Sequence, residues 1–418
     1  MLLYQILYKN KEDICYNLIG DNMKKILTLL MILIVITGCN SNIKNEIETT
    51  KNEETKKELT IEDIVEEKMS KMTIEEKIAQ MLVVYYSKDE VDSTLKNVFT
   101  TNTPGGFILM KDNITTYEKT KKFVDNLKNL SDVPLIISID QEGGNVQRLK
   151  AITDKDATNI PYMYNVGLKN DTKLTYKIGK VIAEELRTIG VNVDYAPVLD
   201  IYSNPNNTVI GKRSFGKTKE LVSNHSIELA KGLMDNKVVP TYKHFPGHGD
   251  TAVDSHVGLP IINKTYDELK KEELVPFINA INNDAKIIMV GHLALPKITG
   301  DNTPATLSKK IVTDILKNDL GYKGLVITDG LNMGALTKNY TDEQIYVGAI
   351  NAGCDLLLMP NGSKKAIEII KNNIDEKRID ESVRKILIFK YTYLDEDNTL
   401  DESYLGSKEH KDIINQIK

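Results

Sequence analysis

Tryptophan is absent from the 418 residues, and phenylalanine occurs only 7 times. That composition is a poor fit to a dedicated sugar-binding module, which stacks sugars on broad aromatic faces. Cysteine occurs 3 times, too few for a disulfide framework in a chain of this length. There is no basic excess: Lys and Arg number 54 against 59 Asp and Glu, for a net charge of −5. Nucleic-acid binding, which shows as clustered positive charge, is therefore not indicated. The apolar run at 26–36, interrupted only by Thr28, is too short to span a bilayer comfortably. What is present is a chain that is 41% hydrophobic and 27% charged. That suffices for a large core, as one large α/β domain or two to three small ones.

The N-terminal segment reads as an address. Met23-Lys24-Lys25 begins a short positive region, the apolar run follows, and Thr37-Gly38-Cys39 supplies small residues before a cleavage point. This is the build of an export signal. The ending at 36–39 resembles a bacterial lipobox, in which the cysteine is lipidated and becomes the first mature residue; Cys39 is the expected anchor. Residues 40–58 are rich in Asn, Lys, Glu and Thr and read as a solvated tether. Residues 1–22 fit neither signal nor domain, and Met23 is the expected start. Cys354, beside an apolar stretch, is expected in the core.

Beyond the tether, helix and strand signals alternate. Thr73-x-x-Glu76 is a capping-box pattern. Short, unalternating apolar runs follow at 81–86, 106–110, 135–140, 191–199, 238–244, 287–292, 325–329 and 355–359, as expected of buried parallel strands. Helical stretches are expected at 115–130, 172–189, 217–236, 266–281, 308–320, 342–352 and 379–393. Eight strands with intervening helices predict an α/β fold, a single (β/α)8 barrel over residues 59–400 with a tail at 401–418. A doubly wound open sheet is the alternative. A barrel places its active residues just after the strands, and Asp140, Asp194, Asp200, Lys243, His244, His292 and Asp329 all fall at such ends.

The densest signal is 243–256, KHFPGHGDTAVDSH, with three of the six histidines plus Asp250 and Asp254. Its glycines and proline make it a loop. Two chemistries suit it. One is metal binding, although no regular ligand spacing such as H-E-x-x-H is present. The other is acid/base work, in which a carboxylate orients a histidine and raises its pKa.

This segment resembles the signature of glycoside hydrolase family 3, in the branch of bacterial β-N-acetylglucosaminidases. ISIDQEGGNVQR at 137–148, IGKRSFG at 210–216, LVITDGLNMGAL at 325–336 and MTIEEKIAQM at 72–81 resemble further motifs of that family, in order from about 72 to 393. The resemblance implies that Asp329 is the nucleophile of a retaining glycosidase, forming a covalent glycosyl-enzyme. It implies that His256 is the acid/base, held by Asp254 within Asp254-Ser255-His256. It places Asp140, Arg148, Arg213, Lys243 and His244 against the sugar. Gly330 departs from the pattern, since a second acidic residue often stands there. His248 and Asp250 are expected to shape the loop, Met333 and Phe215 to line the pocket or pack the core, and His225 and His410 to lie on the surface.

The resemblance thus implies exo-hydrolysis of β-1,4-linked N-acetylglucosamine from peptidoglycan fragments, with a glycan as substrate, the membrane reached through a lipid anchor, and no cofactor or metal. The alternatives are a β-N-acetylglucosaminide phosphorylase or a β-glucosidase of the same family. A metal-dependent hydrolase and a non-catalytic sugar receptor stand outside it.

Overall fold

The computed structural model describes residues 59–251, 258–394, 396 and 398–417. Helices Ile61–Lys71 and Ile74–Gln80 both start on capping boxes: Thr60 and Thr73 accept from the amides of Asp63 and Glu76, whose side chains reach back. Eight short strands follow: β1 (Leu82–Val84), β2 (Gly106–Leu109), β3 (Ile136–Ile139), β4 (Val193–Asp194), β5 (Val239–Phe245), β6 (Ile287–Val290), β7 (Leu325–Thr328) and β8 (Leu357–Leu358). All pairings among them are parallel, in the order β8-β1-β2-β3-β4-β5-β6-β7. An Ile327–Leu356 bridge joins the two ends. The sheet is a (β/α)8 barrel, and the open-sheet alternative falls.

All eight expected strands are present, two of them reduced to two residues. The 191–199 run yields only Val193–Asp194 as ladder. Pro197 has no N–H to offer the neighbouring strand. The segment still runs beside β5 through Thr241 N–H to Ala196 O (2.9 Å), Lys243 N–H to Pro197 O (3.2 Å) and Leu199 N–H to Lys243 O (2.6 Å). The helix expected at 266–281 divides into Tyr266–Lys271 and Leu274–Asn282. Pro276 cannot donate to Glu272, whose backbone leaves helical geometry there.

Helices Thr172–Thr188 and Lys219–Asp235 lie backbone to backbone. A Cβ at Gly179 would stand 2.3 Å from Leu229 O, and one at Gly232 would stand 2.2 Å from Tyr176 O. Cys354 is fully buried, as expected. Residues 401–417 carry a helix, Lys408–Asn415, whose His410 reaches Glu184 (3.0 Å) and Glu185 (3.2 Å) on helix Thr172–Thr188. Among the described residues, no helix is long and apolar enough to cross a membrane.

Candidate active site

The C-terminal strand ends bring the predicted residues to one face. Asp140 follows β3, Lys243 and His244 lie near the end of β5, His292 follows β6 and Asp329 follows β7. Lys243, only 2% exposed, sets its ammonium between two carboxylates, Asp140 Oδ1 at 2.7 Å and Glu142 Oε1 at 2.5 Å. Glu142 also receives a fork from Arg213, Nε at 2.8 Å and Nη2 at 2.7 Å. The fork is the rigid two-point pairing that guanidinium makes with carboxylate. Burial opposes ionisation of Glu142, but Arg213 and Lys243 outweigh it and hold its carboxyl far below the usual range. Burial likewise opposes a charged Lys243, and Asp140 and Glu142 raise its pKa regardless. Arg148 is looser, with Nη2 3.6 Å from Asp140 Oδ2. Among the described residues Asp140 therefore keeps one oxygen without a tight partner, and it remains 19% exposed, as a group that receives a ligand must.

A second cluster surrounds Asp200. This buried carboxylate accepts from His244 N–H (3.3 Å), His248 N–H (2.6 Å) and His244 Nδ1 (2.7 Å). That bond turns His244 Nε2 away, toward Arg213 Nη2 at 3.5 Å. His248 is packed edge-on to His244 and bonds Thr251 Oγ1 through Nδ1 at 2.7 Å. Burial lowers its pKa.

Asp329 is positioned by main chain. Its N–H donates to Val290 O (3.0 Å), and its Oδ1 accepts the Gly330 N–H (2.7 Å). His292 Nε2 holds the Gly330 carbonyl at 3.0 Å, with Nδ1 on Thr306 Oγ1 at 2.8 Å. Burial would raise the Asp329 carboxyl, but His244, His292 and the Gly330 amide more than offset it, so the pKa lies below its ordinary value. The site thus offers an ionised carboxylate at one strand end, facing a platform of hydrogen-bonding and charged groups at others.

Asp254 and His256 fall within 252–257, and Cys39 within 1–58; all three lie outside the described residues. Just before the first of these segments, Asp250 pairs with Lys264 (3.0 Å), which also pairs with Glu273. Among the described residues, no group of three or more His, Cys, Asp or Glu is arranged to hold a metal ion.

Sequence reasoning missed Glu142, which anchors both Arg213 and Lys243. It stands in the DQEGG stretch two residues beyond Asp140, but nothing local marks its pairing with Arg213. Phe215 is fully buried and stacks on His225 at 5.6 Å, so it packs the core rather than the pocket. The expectation of surface positions for His225 and His410 is corrected: their exposures are 0% and 2%. His225 bridges to Thr175 at 2.7 Å across the glycine seam between helices, and His410 is drawn in by two glutamates. In both cases the histidine itself is turned toward polar groups of another element, while sequence neighbours such as Asn224 and Glu409 stay exposed.

The model of the glycosyl hydrolase family 3 N-terminal domain matches residues 73–389. A beta-hexosaminidase A from Pseudoalteromonas piscicida is 33% identical over 301 residues, 68% of this chain and 49% of that protein, so the chain spans about half of that relative's length. A beta-hexosaminidase from Methylobacillus flagellatus is 32% identical over 274 residues, 64% of this chain and 76% of that one. The solved structure of a glycoside hydrolase family 3 beta-N-acetylglucosaminidase from a Paenibacillus species superposes with a TM-score of 0.77 at 34% identity, covering 83% of this chain and 68% of that chain.

Proposed function

The chain belongs to glycosyl hydrolase family 3, and on that premise we propose that it is a retaining exo-β-N-acetylglucosaminidase acting on peptidoglycan fragments. The supporting observation is Asp329: a carboxylate kept ionised despite burial, with Oδ1 fixed by the Gly330 amide. In the proposed first step, Asp329 Oδ2 attacks the anomeric carbon, the bond to the leaving oxygen breaks, and protonated His256 gives that oxygen its proton. In the second, neutral His256 takes a proton from water, whose oxygen attacks the same carbon and frees Asp329. Asp254 orients the imidazole, as a carboxylate does in a serine-protease triad. Asp140, Arg148, Arg213, Lys243 and His244 match hydroxyl and acetamido groups with acceptors and donors. In the same reading, Cys39 carries a lipid anchor, and the enzyme works outside the cytoplasm.

A panel of aryl β-glycosides tests the activity. The N-acetylglucosaminide should be cleaved far faster than the glucoside, with no requirement for phosphate. Asp329→Ala should lower turnover by on the order of 10⁴-fold or more. His256→Ala should spare an activated aryl glycoside relative to a natural disaccharide and be rescued by azide, which needs no base, with a β-glycosyl azide as product. Near-normal turnover in Asp329→Ala would overturn the nucleophile assignment, and equal losses on good and poor leaving groups would overturn the histidine. Fractionation tests the anchor: Cys39→Ser should leave the membrane fraction or remain uncleaved.

A further inference from the structure

Three aspartates at the ends of barrel strands are equally buried, at 0–1% exposure: Asp194, Asp200 and Asp355. Their hydrogen bonding is not equal. Asp200 receives three N–H donors, as described above. Asp355 receives Val326 N–H (3.1 Å), Ser382 O–H (2.9 Å) and the ammonium of Lys385 (3.2 Å), with Lys317 at 3.5 Å and Arg378 at 3.8 Å. Asp194 receives one donor, Gln141 N–H on Oδ1 at 2.9 Å, while its buried Oδ2 has no partner among the described residues.

A buried carboxylate with a single amide donor takes up a proton rather than remain charged. The charged groups facing Asp194 are few. Asp140 and Glu142 lie on the chain leaving β3, and Lys243 lies on β5. The Lys243 ammonium is already committed to Asp140 and Glu142, at 2.7 and 2.5 Å.

We propose that Asp194 is a neutral carboxylic acid in the working enzyme and a positioning residue for the sugar site. Its Oδ1 pins the amide of Gln141, between Asp140 and Glu142, at the start of a short antiparallel hairpin of Gln141–Gly143 and Val146–Gln147, without adding a third negative charge beside Lys243. The electrostatics agree: burial, reinforced by Asp140 and Glu142 and opposed by Gln141 N–H and Lys243, pushes the Asp194 carboxyl up to about 8. Above that pH a third carboxylate competes for Lys243 and loosens Asp140. The folded state holds a proton that the unfolded chain releases near its ordinary pKa of about 4, so stability falls as pH rises from there to about 8.

The positioning role rests on the glycosidase reading; the protonation does not, and the two are tested separately. Infrared spectra of the native protein at neutral pH should contain a protonated-carboxyl C=O band that Asp194→Asn lacks and that disappears in strongly alkaline buffer. Asp194→Asn, a neutral isostere, should keep kcat/KM within about threefold of native at neutral pH, whereas Asp194→Ala should lose about tenfold or more, mainly through KM. The melting temperature of Asp194→Asn should gain on native between mildly acidic and alkaline pH. No band, or a band unchanged in Asp194→Asn, overturns the neutral acid. Equal damage from Asn and Ala shows that the charge is needed and overturns it too. An Ala variant with native KM and kcat overturns the positioning role and leaves the protonation result standing.

Discussion

The two ends of the barrel each hold an ionic knot. At the C-terminal end Lys243 sits between two carboxylates, Asp140 and Glu142, which Arg148 and Arg213 also approach. At the N-terminal end one carboxylate, Asp355, sits among Lys317, Lys385 and Arg378. The lower knot is tied off: its cations also bond the carbonyls of Gly353, Gly324 and Cys354, just before β7 and β8. The upper knot is left partly open: among the described residues Asp140 Oδ2 is approached only by Arg148, at 3.6 Å. The two sets of charges therefore do different work. One set closes the barrel, and the other keeps hydrogen-bonding capacity in reserve for a ligand.

The largest expected effect breaks the lower knot. Asp355→Asn should reduce stability by about 2–3 kcal/mol, because three partly exposed cations lose the buried carboxylate they share. Denaturant melts would measure this, and kcat/KM at a temperature where the variant is folded should be native. Burial opposes the Asp355 charge, but Lys317, Lys385 and Arg378 hold its folded pKa below the unfolded value. Its contribution is therefore present above the unfolded pKa and is lost as pH falls through the folded one. The next effect reverses the pattern. Lys243→Met should cost about 30- to 100-fold in kcat/KM, roughly 2–3 kcal/mol, with a smaller loss of stability than Asp355→Asn. If the stability losses are equal, the contrast between the ends fails. The smallest effect lies away from both knots. Burial lowers the His410 pKa, but Glu185 and Glu184 more than reverse this and raise it above the unfolded value. Its contribution is complete below the unfolded pKa and fades as pH rises through the folded one. The melting-temperature gap between native protein and His410→Gln should be widest in acid and narrow with rising pH; a constant gap would contradict the ion pairing.

The barrel was legible because buried parallel strands leave short apolar runs, and eight of them could be counted directly. Asp140, Lys243, His244 and Asp329 were legible because each stands at the end of such a run. Glu142 was not: its importance comes from Arg213, 71 positions away, and no local pattern encodes that pairing. The burial of His225 and His410 is hidden for the same reason: a polar helix looks like a wet one in sequence, and the polar partners Thr175, Glu184 and Glu185 come from a neighbouring helix. The break in β4 has a visible mark, Pro197, within the apolar run.

The seam at Gly179 and Gly232 bears on how this protein can vary. The two glycines shield each other's carbonyl neighbours, so a methyl at either one must push the other helix away by more than an ångström to reach ordinary contact. The displaced helices are those that feed β4 and β5, the strands preceding Asp200 and carrying His244. A substitution at this seam, on the outer wall of the barrel, would reset the spacing of a histidine and its carboxylate. It would reach the site, as well as the stability of the fold, from a position that a survey of the pocket would never include.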